Sequence, residues 1–256
     1  MDSRQIKSAP LVLGIASFAA ILVAWEFAVR LGWVNAFFVS QPSAIAISLT
    51  HAARDGELWH NLSVSFREFA IGYGLSVVVG ILGGALAGRF RILEYALNPF
   101  LWFLYSAPLI AFYPIFVLWF GLGAPTVIAM TFLLSVTQIF ATTLSGVQNV
   151  NPGLIRAARS FGACERDLMW KVVLPASVPM VIAGLRLGIG RALMGVVVGE
   201  LFGATAGLGY SISYYGALLK TTDMIASLVV VIVLGVLCTQ GLSAVEARFD
   251  SWRVGE

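Results

Sequence analysis

Three ionisable residues, Arg186, Arg191 and Glu200, stand inside one apolar stretch, residues 178–202, where charge is expensive. An arginine at the centre of a membrane helix costs about 2.5 to 3.5 kcal/mol on the insertion scale, against about 0.3 to 0.6 kcal/mol gained per strongly apolar residue. At about 1.5 Å per residue, Arg186 lies about 12 Å from the start of the stretch and can snorkel to its edge. Arg191, about 20 Å in, needs an internal partner or a cavity. A second stretch, residues 96–120, carries Pro99, Pro108 and Pro114. Each proline removes a backbone donor and clashes with the preceding turn, so a broken or kinked helix with freed carbonyls is expected. Such carbonyls are tolerated at membrane depth only where protein or a water-filled cavity covers them. Tyr105, Ser106, Pro108 and Tyr113, with Arg191 and Glu200, are therefore candidates for lining a solute path. A purely structural kink is the alternative.

Other chemistries do not fit. The glycine-rich segment GATAGLGY, residues 203–210, lacks the lysine of a phosphate-cradling loop. His51 and His60 lie in one polar segment without HExxH or Cys/His metal spacing, and no serine occupies a GxSxG elbow. No paired carboxylates face one another on one span, and an acidic proton relay is missing. Cys164 and Cys238 make neither a disulfide framework nor a metal cluster. The chain is expected to be no enzyme and to bind no metal or cofactor itself.

The elements that position these residues follow from composition. Of 256 residues 59% are hydrophobic and only 11% charged, and the mean hydropathy is +0.90. Soluble domains are about a quarter charged, so this chain cannot cover a globule of its size with polar surface. Its apolar runs are continuous instead of alternating, which excludes an outer-membrane barrel and leaves helical spans. A bilayer core of about 30 Å needs roughly 20 apolar residues per helix. Six stretches qualify: residues 10–29, 70–88, 96–120, 125–145, 178–202 and 224–245. The first follows Arg4 and Lys7 as a signal peptide would, but its apolar core is long and lacks a small-x-small cleavage site, so a retained helix is expected.

Six spans leave both termini on one side. Arg4, Lys7, Arg89, Arg91, Arg156, Arg159, Arg166, Lys171, Arg248 and Arg253 fall on that side, and only Arg30, Arg54 and Lys220 on the other. The excess places the termini in the cytoplasm, and the pI near 9.0 reflects this asymmetry more than any anionic partner. On the outer side, residues 43–53 form either a short surface helix or a loop packed on the spans. Small residues are patterned too. Gly72, Ser76, Gly80, Gly84 and Gly88 recur at every fourth position, and Gly184, Gly188 and Ala192 are followed by Gly195, Gly199 and Gly203 on a shifted stripe. Such faces permit close helix packing, static or sliding.

The cytoplasmic loop reads NPGLIRAARSFGACERDLMWKVVLPASVP over residues 151–179. It resembles the EAA motif of permease subunits of bacterial ABC importers, in which two short helices around a glycine turn dock on an ATPase subunit. Ala157 and Ala158 would allow close approach, Gly162 a turn with positive φ, and Pro175 an end to the segment before the next span. The resemblance runs from about Trp59 to Arg248 and includes FREFAIGYGLSVVVGILGGALAG, PLIAFYPIFVLWFGLG and GLRLGIGRALMGVVVGELFGATAGLGY. These stretches are similar to the nitrate, taurine and alkanesulfonate branch.

The resemblance implies an all-α polytopic protein of the type I ABC importer permease fold in the bacterial inner membrane. It implies a dimer, identical chains being expected, with ATPase subunits beneath that use ATP and Mg2+, and an extracytoplasmic solute-binding protein above. No nucleic-acid partner is implied. Residues 59–245 would be the transport domain, 1–58 the N-terminal tail, first helix and outer segment, and 246–256 a cytoplasmic tail. The solute would be a small anion: a sulfonate, taurine, nitrate or a related organic acid. The ATPase contact would rest on Arg156, Ala157, Ala158, Arg159, Gly162, Ala163, Glu165, Asp167, Leu174 and Pro175. One departure stands out: Arg156 occupies the motif's usual acidic first position, reversing a charge at that contact. An ion-coupled secondary transporter or channel without an ATPase is the competing class.

Overall fold

The computed structural model describes the backbone of residues 3–249 and the side chains of residues 13–242. The basic residues Arg4, Lys7, Arg248 and Arg253, on which part of the charge asymmetry rests, therefore have side chains outside the described set. Every regular element among the described residues is helical. Among the described residues five helices are long and apolar enough to cross a membrane, and a sixth span results if one bent pair counts as a single crossing.

Helix α1 (Ser3–Arg30) is followed by α2 (Pro42–Arg54), which settles residues 43–53 as a helix. Glu26 of α1 holds the start of α2: its carboxylate accepts from the Ser43 backbone N–H at 3.0 Å and from the Ser43 hydroxyl at 2.7 Å. Arg30, one turn on, pairs with the same carboxylate at 2.6 Å. Helix α3 (Glu57–Arg89) begins well before the apolar stretch at residue 70, so its first turns carry the polar residues Asn61, Ser65 and Glu68 toward the membrane region.

The third span is broken. Helix α4 (Arg91–Ser106) stops at the residue before Ala107 and Pro108; a 3-10 turn (Leu109–Phe112) and α5 (Tyr113–Phe120) follow, bent by 96° from α4. Among the three prolines only Pro108 breaks the chain. Pro99 is accommodated inside α4, and Pro114 sits in the first turn of α5, where its missing N–H costs nothing.

Helix α6 (Ala124–Gln148) starts after Gly121 and Gly123, both at positive φ, and is the most enclosed span, with half of its apolar window buried. After it come α7 (Pro152–Ser160), α8 (Glu165–Asp167), a π-helical turn (Leu168–Val173), α9 (Leu174–Gly203), α10 (Leu208–Ala217) and α11 (Thr221–Phe249). Pro175 does not end the loop segment as expected. It lies in the first turn of α9, and the helical path runs on from Glu165 to Gly203.

The glycine stripes explain why α6 is central. A Cβ on Gly72 would stand 2.7 Å from the Thr131 side chain, and one on Gly195 would stand 2.6 Å from the Thr131 Cα, so Thr131 is gripped from α3 and α9 at once. Ile139 is held the same way between Gly80 and Gly188. Buried hydroxyls along the seam satisfy themselves locally: Ser135 donates to the Thr131 carbonyl at 2.6 Å and lies 2.6 Å from the Ser76 hydroxyl, which donates to the Gly72 carbonyl at 2.8 Å. The three helices form a plate, and Phe69, Val127, Ile189, Ala192 and Val196 are its apolar centre.

Candidate translocation cavity and cytoplasmic loop

Where α4 ends, the missing N–H of Pro108 deprives the Leu104 carbonyl of its helical donor, and Ala107 adopts an extended backbone. This break opens on a cavity of about 220 Å³ whose wall includes Leu104, Tyr105, Pro108, Thr137, Gln138 and Arg191. Three elements build it: the broken span supplies backbone polarity, α6 the Gln138 amide, and α9 the Arg191 guanidinium. No carboxylate pairs with Arg191 among the described residues. Arg191 and Tyr105 line this cavity together. A guanidinium with free donors beside an amide and a phenol suits a planar or tetrahedral oxyanion.

Of the sequence candidates, Tyr105, Pro108 and Arg191 meet at this cavity. Ser106, Tyr113 and Glu200 do not. Ser106 is the exposed last residue of α4. Tyr113 packs its buried, unpartnered hydroxyl against Gly203, its ring 5.6 Å from that of Phe202. Glu200 is 1% exposed and turned toward α3 and α10, where it accepts from the Gly209 N–H at 2.6 Å. Gln138 and Thr137 were missed, since neutral polar residues in an apolar run carry no cost large enough to flag them.

Glu68 was missed as well: a carboxylate pair was sought within one span, and the pair present joins two. Glu68 and Glu200 stand on different spans but lie within hydrogen-bonding reach of each other. A signal existed: Glu68 extends the stripe of Gly72 to Gly88 by one further step of four, and Glu200 extends the row of Gly184, Gly188 and Ala192 by two. On the outer surface nearby, the Tyr215 hydroxyl donates to Glu57 at 2.6 Å, and burial, reinforced by that carboxylate, pushes its pKa well above the ordinary phenol value.

The cytoplasmic loop has the expected helix, glycine turn and helix. Asn151 caps α7 by accepting from the Gly153 N–H at 2.7 Å. At its far end the Gly162 N–H bonds the Arg159 carbonyl and the Ala163 N–H the Ala158 carbonyl, a Schellman stop that requires the positive φ of Gly162. Glu165 then ties the loop down, pairing with Arg89 at 2.9 Å and Arg159 at 3.0 Å, while Asp167 pairs with Lys171 at 2.7 Å. Beneath, Val147, Val150, Leu168 and Val173 form a small apolar cluster. Arg156 and Ala157 are exposed, Ala158 and Leu174 half-buried, and Pro175 exposed. Phe161 is 91% exposed at the tip, an apolar ring on a polar loop.

The fold is shared with solved transporters. An amino acid ABC transporter chain superimposes with a TM-score of 0.65 at 17% identity, over 78% of this chain and 97% of that one. The inward-facing MetNI methionine ABC transporter gives 0.57 at 22% identity, over 75% and 94%. Residues 77–251 match the binding-protein-dependent transport system inner membrane component, and the chain belongs to that family. Its relatives include the taurine transport system permease protein TauC of Escherichia coli, 29% identical over 98% of this chain and 95% of the other. A putative aliphatic sulfonates transport permease protein of Bacillus subtilis is 30% identical over 94% and 87%, and a putative ABC transporter permease protein of Methanocaldococcus jannaschii 33% over 98% and 96%. The chain is thus the transmembrane permease subunit of an ATP-driven ABC importer, a multi-pass inner-membrane protein, and in such systems ATP is hydrolysed by a separate subunit. The secondary transporter is set aside.

Proposed function

We propose that this chain forms half of the translocation path for a small organic or inorganic oxyanion of the sulfonate class, taurine included. The single observation that carries the proposal is Arg191, free of a carboxylate partner and facing the Pro108 break and Gln138 across one cavity. The names of the taurine and sulfonate relatives point to the same class of solute. A second copy of the chain completes the path, ATPase subunits carrying ATP and Mg2+ dock on residues 156–167 through Phe161 and the small residues beside it, and an extracytoplasmic binding protein delivers the solute. Both termini face the cytoplasm in this arrangement, supported by the ten-to-three distribution of basic residues. Residues 59–245 act as the transport core, with the first helix an addition.

The test is ATP hydrolysis by the complex reconstituted in lipid with its ATPase and binding protein, in the presence of taurine, an alkanesulfonate, nitrate or an aromatic carboxylate. Stimulation by a sulfonate, reduced at least about tenfold in Arg191→Ala and partly retained in Arg191→Lys, is the expected result. Stimulation confined to uncharged solutes, or indifferent to Arg191→Ala, overturns the assignment.

A further inference from the structure

Glu68 and Glu200 are 3% and 1% exposed, yet among the described residues no lysine or arginine bridges them. Two buried carboxylates in contact cannot both stay ionised, because each would be desolvated and repelled at once. Their hydrogen bonds divide the roles. Glu200 accepts from the Gly209 backbone N–H at 2.6 Å, near the start of α10 and beside Ser65, the surroundings of an anion at a helix N-terminus. Ser65 in turn accepts from the Leu208 N–H at 2.8 Å. Glu68 has no comparable donors. One oxygen on each carboxyl, Oε2 of Glu68 and Oε1 of Glu200, is buried without any partner. A single proton held between the two groups supplies the donor that both lack.

We propose that Glu68 and Glu200 form a proton-binding site, with Glu68 carrying the shared proton and Glu200 the charge, and that this site latches the turn of residues 204–209 to α3. The surrounding contacts already converge on that turn. Asn61 accepts from the Gly207 N–H at 2.9 Å and donates to Ser211 at 2.9 Å, while Ser211 donates to the Gly207 carbonyl at 3.1 Å. Gly207 is at φ +115°, and a Cβ there would collide with the Glu200 carboxyl. The opposite end of the turn is tied to the start of α6, since the Gly123 N–H bonds the Gly203 carbonyl at 2.7 Å.

Few other charges reach the pair. Arg67, exposed on α3, acts on Glu68 at longer range. Helix α6 has no titratable residue, α5 offers Tyr113, and Tyr73 of α3 is engaged with the Leu185 carbonyl. Tyr210 follows Gly209 on α10, and Cys238 of α11 packs at the apolar centre. His51, Asp55, Glu57, Tyr215, Lys220 and Asp223 line an outer cavity that reaches the network at Asn61, Leu208 and Ser211.

Infrared spectroscopy of the lipid-reconstituted complex at about pH 7, where exposed carboxyls are ionised, tests the proton directly. A protonated-carboxyl carbonyl band is expected in the native protein and lost in Glu68→Gln. Its absence from the native protein, or its survival in the variant, overturns the site. Hydrogen exchange tests the latch: Glu68→Leu should speed exchange of residues 204–212 by about tenfold without touching α6, whereas Glu68→Gln, which keeps a donor toward Glu200, should leave it slow. Equal effects from the two variants overturn the latch. Should Glu68→Leu fail to assemble, the infrared comparison still decides, and neither measurement depends on which solute the importer carries.

Discussion

The plate of α3, α6 and α9 and the broken span of α4 and α5 are made of equally apolar sequence but are built oppositely. In the plate, glycines bring backbones to within a side-chain atom of one another, so there is no room for change. In α4 and α5 no residue is buried, and Phe100, Trp102, Leu118 and Trp119 are all exposed. The plate is held by its own chain, whereas the broken span awaits lipid or a second subunit to cover it. Stability is thereby concentrated on one side of the cavity and adaptability on the other.

The sharpest way to break this contrast is Gly195→Val. Its added carbons meet the Thr131 backbone, which cannot yield as a side chain would, and the cost is expected to reach about 3 kcal/mol or more, read as loss of folded complex and a lower unfolding temperature. Pro108→Leu attacks the other side. It permits α4 to run on and fill the cavity, so solute uptake in proteoliposomes should fall about tenfold while the unfolding temperature holds or rises. A fall in both would mean that the break is part of the scaffold. Glu165→Gln cuts two exposed ion pairs and should change stability by less than about 1 kcal/mol, but it should raise the ATP consumed per solute moved by loosening the loop from Arg89. Smallest is Gly190→Ala, on the same helix as Gly188 but facing open space. Melting curves should show it neutral or stabilising by about 0.5 to 1 kcal/mol, in contrast to Gly188→Ala.

Much of the fold was legible because the bilayer imposes length and apolarity on every span, and glycine periodicity marks close contact wherever it occurs. The loop was legible because Gly162, set after the small Ala157 and Ala158, is a local signal and because its sequence resembles a known motif. The site was only half legible. Pro108 and Arg191 announce themselves by costing energy within their own helices, so Tyr105 was found through the proline beside it. Gln138 becomes polar lining only when α6 is set opposite Arg191, a fact of tertiary register. Glu68 and Glu200 illustrate the same point: Glu68 lies just before the stretch that begins at residue 70, Glu200 on another span, and only the stripes that dock α3 and α9 on α6 bring the carboxyls together. Glu200 was therefore placed in the path when packing turns it away.

The π-helical turn at Leu168–Val173 has a mechanical meaning beyond its hydrogen bonds. Because it joins α8 to α9 without interruption, the 39 residues from Glu165 to Gly203 make one shaft about 58 Å long. Glycines 188 and 195 seat that shaft against α6 partway along, on Ile139 and the Thr131 backbone. A load taken up at the cytoplasmic loop therefore meets one unbroken helical path to the turn at Gly203, with the π turn and Pro179 as irregular places along it.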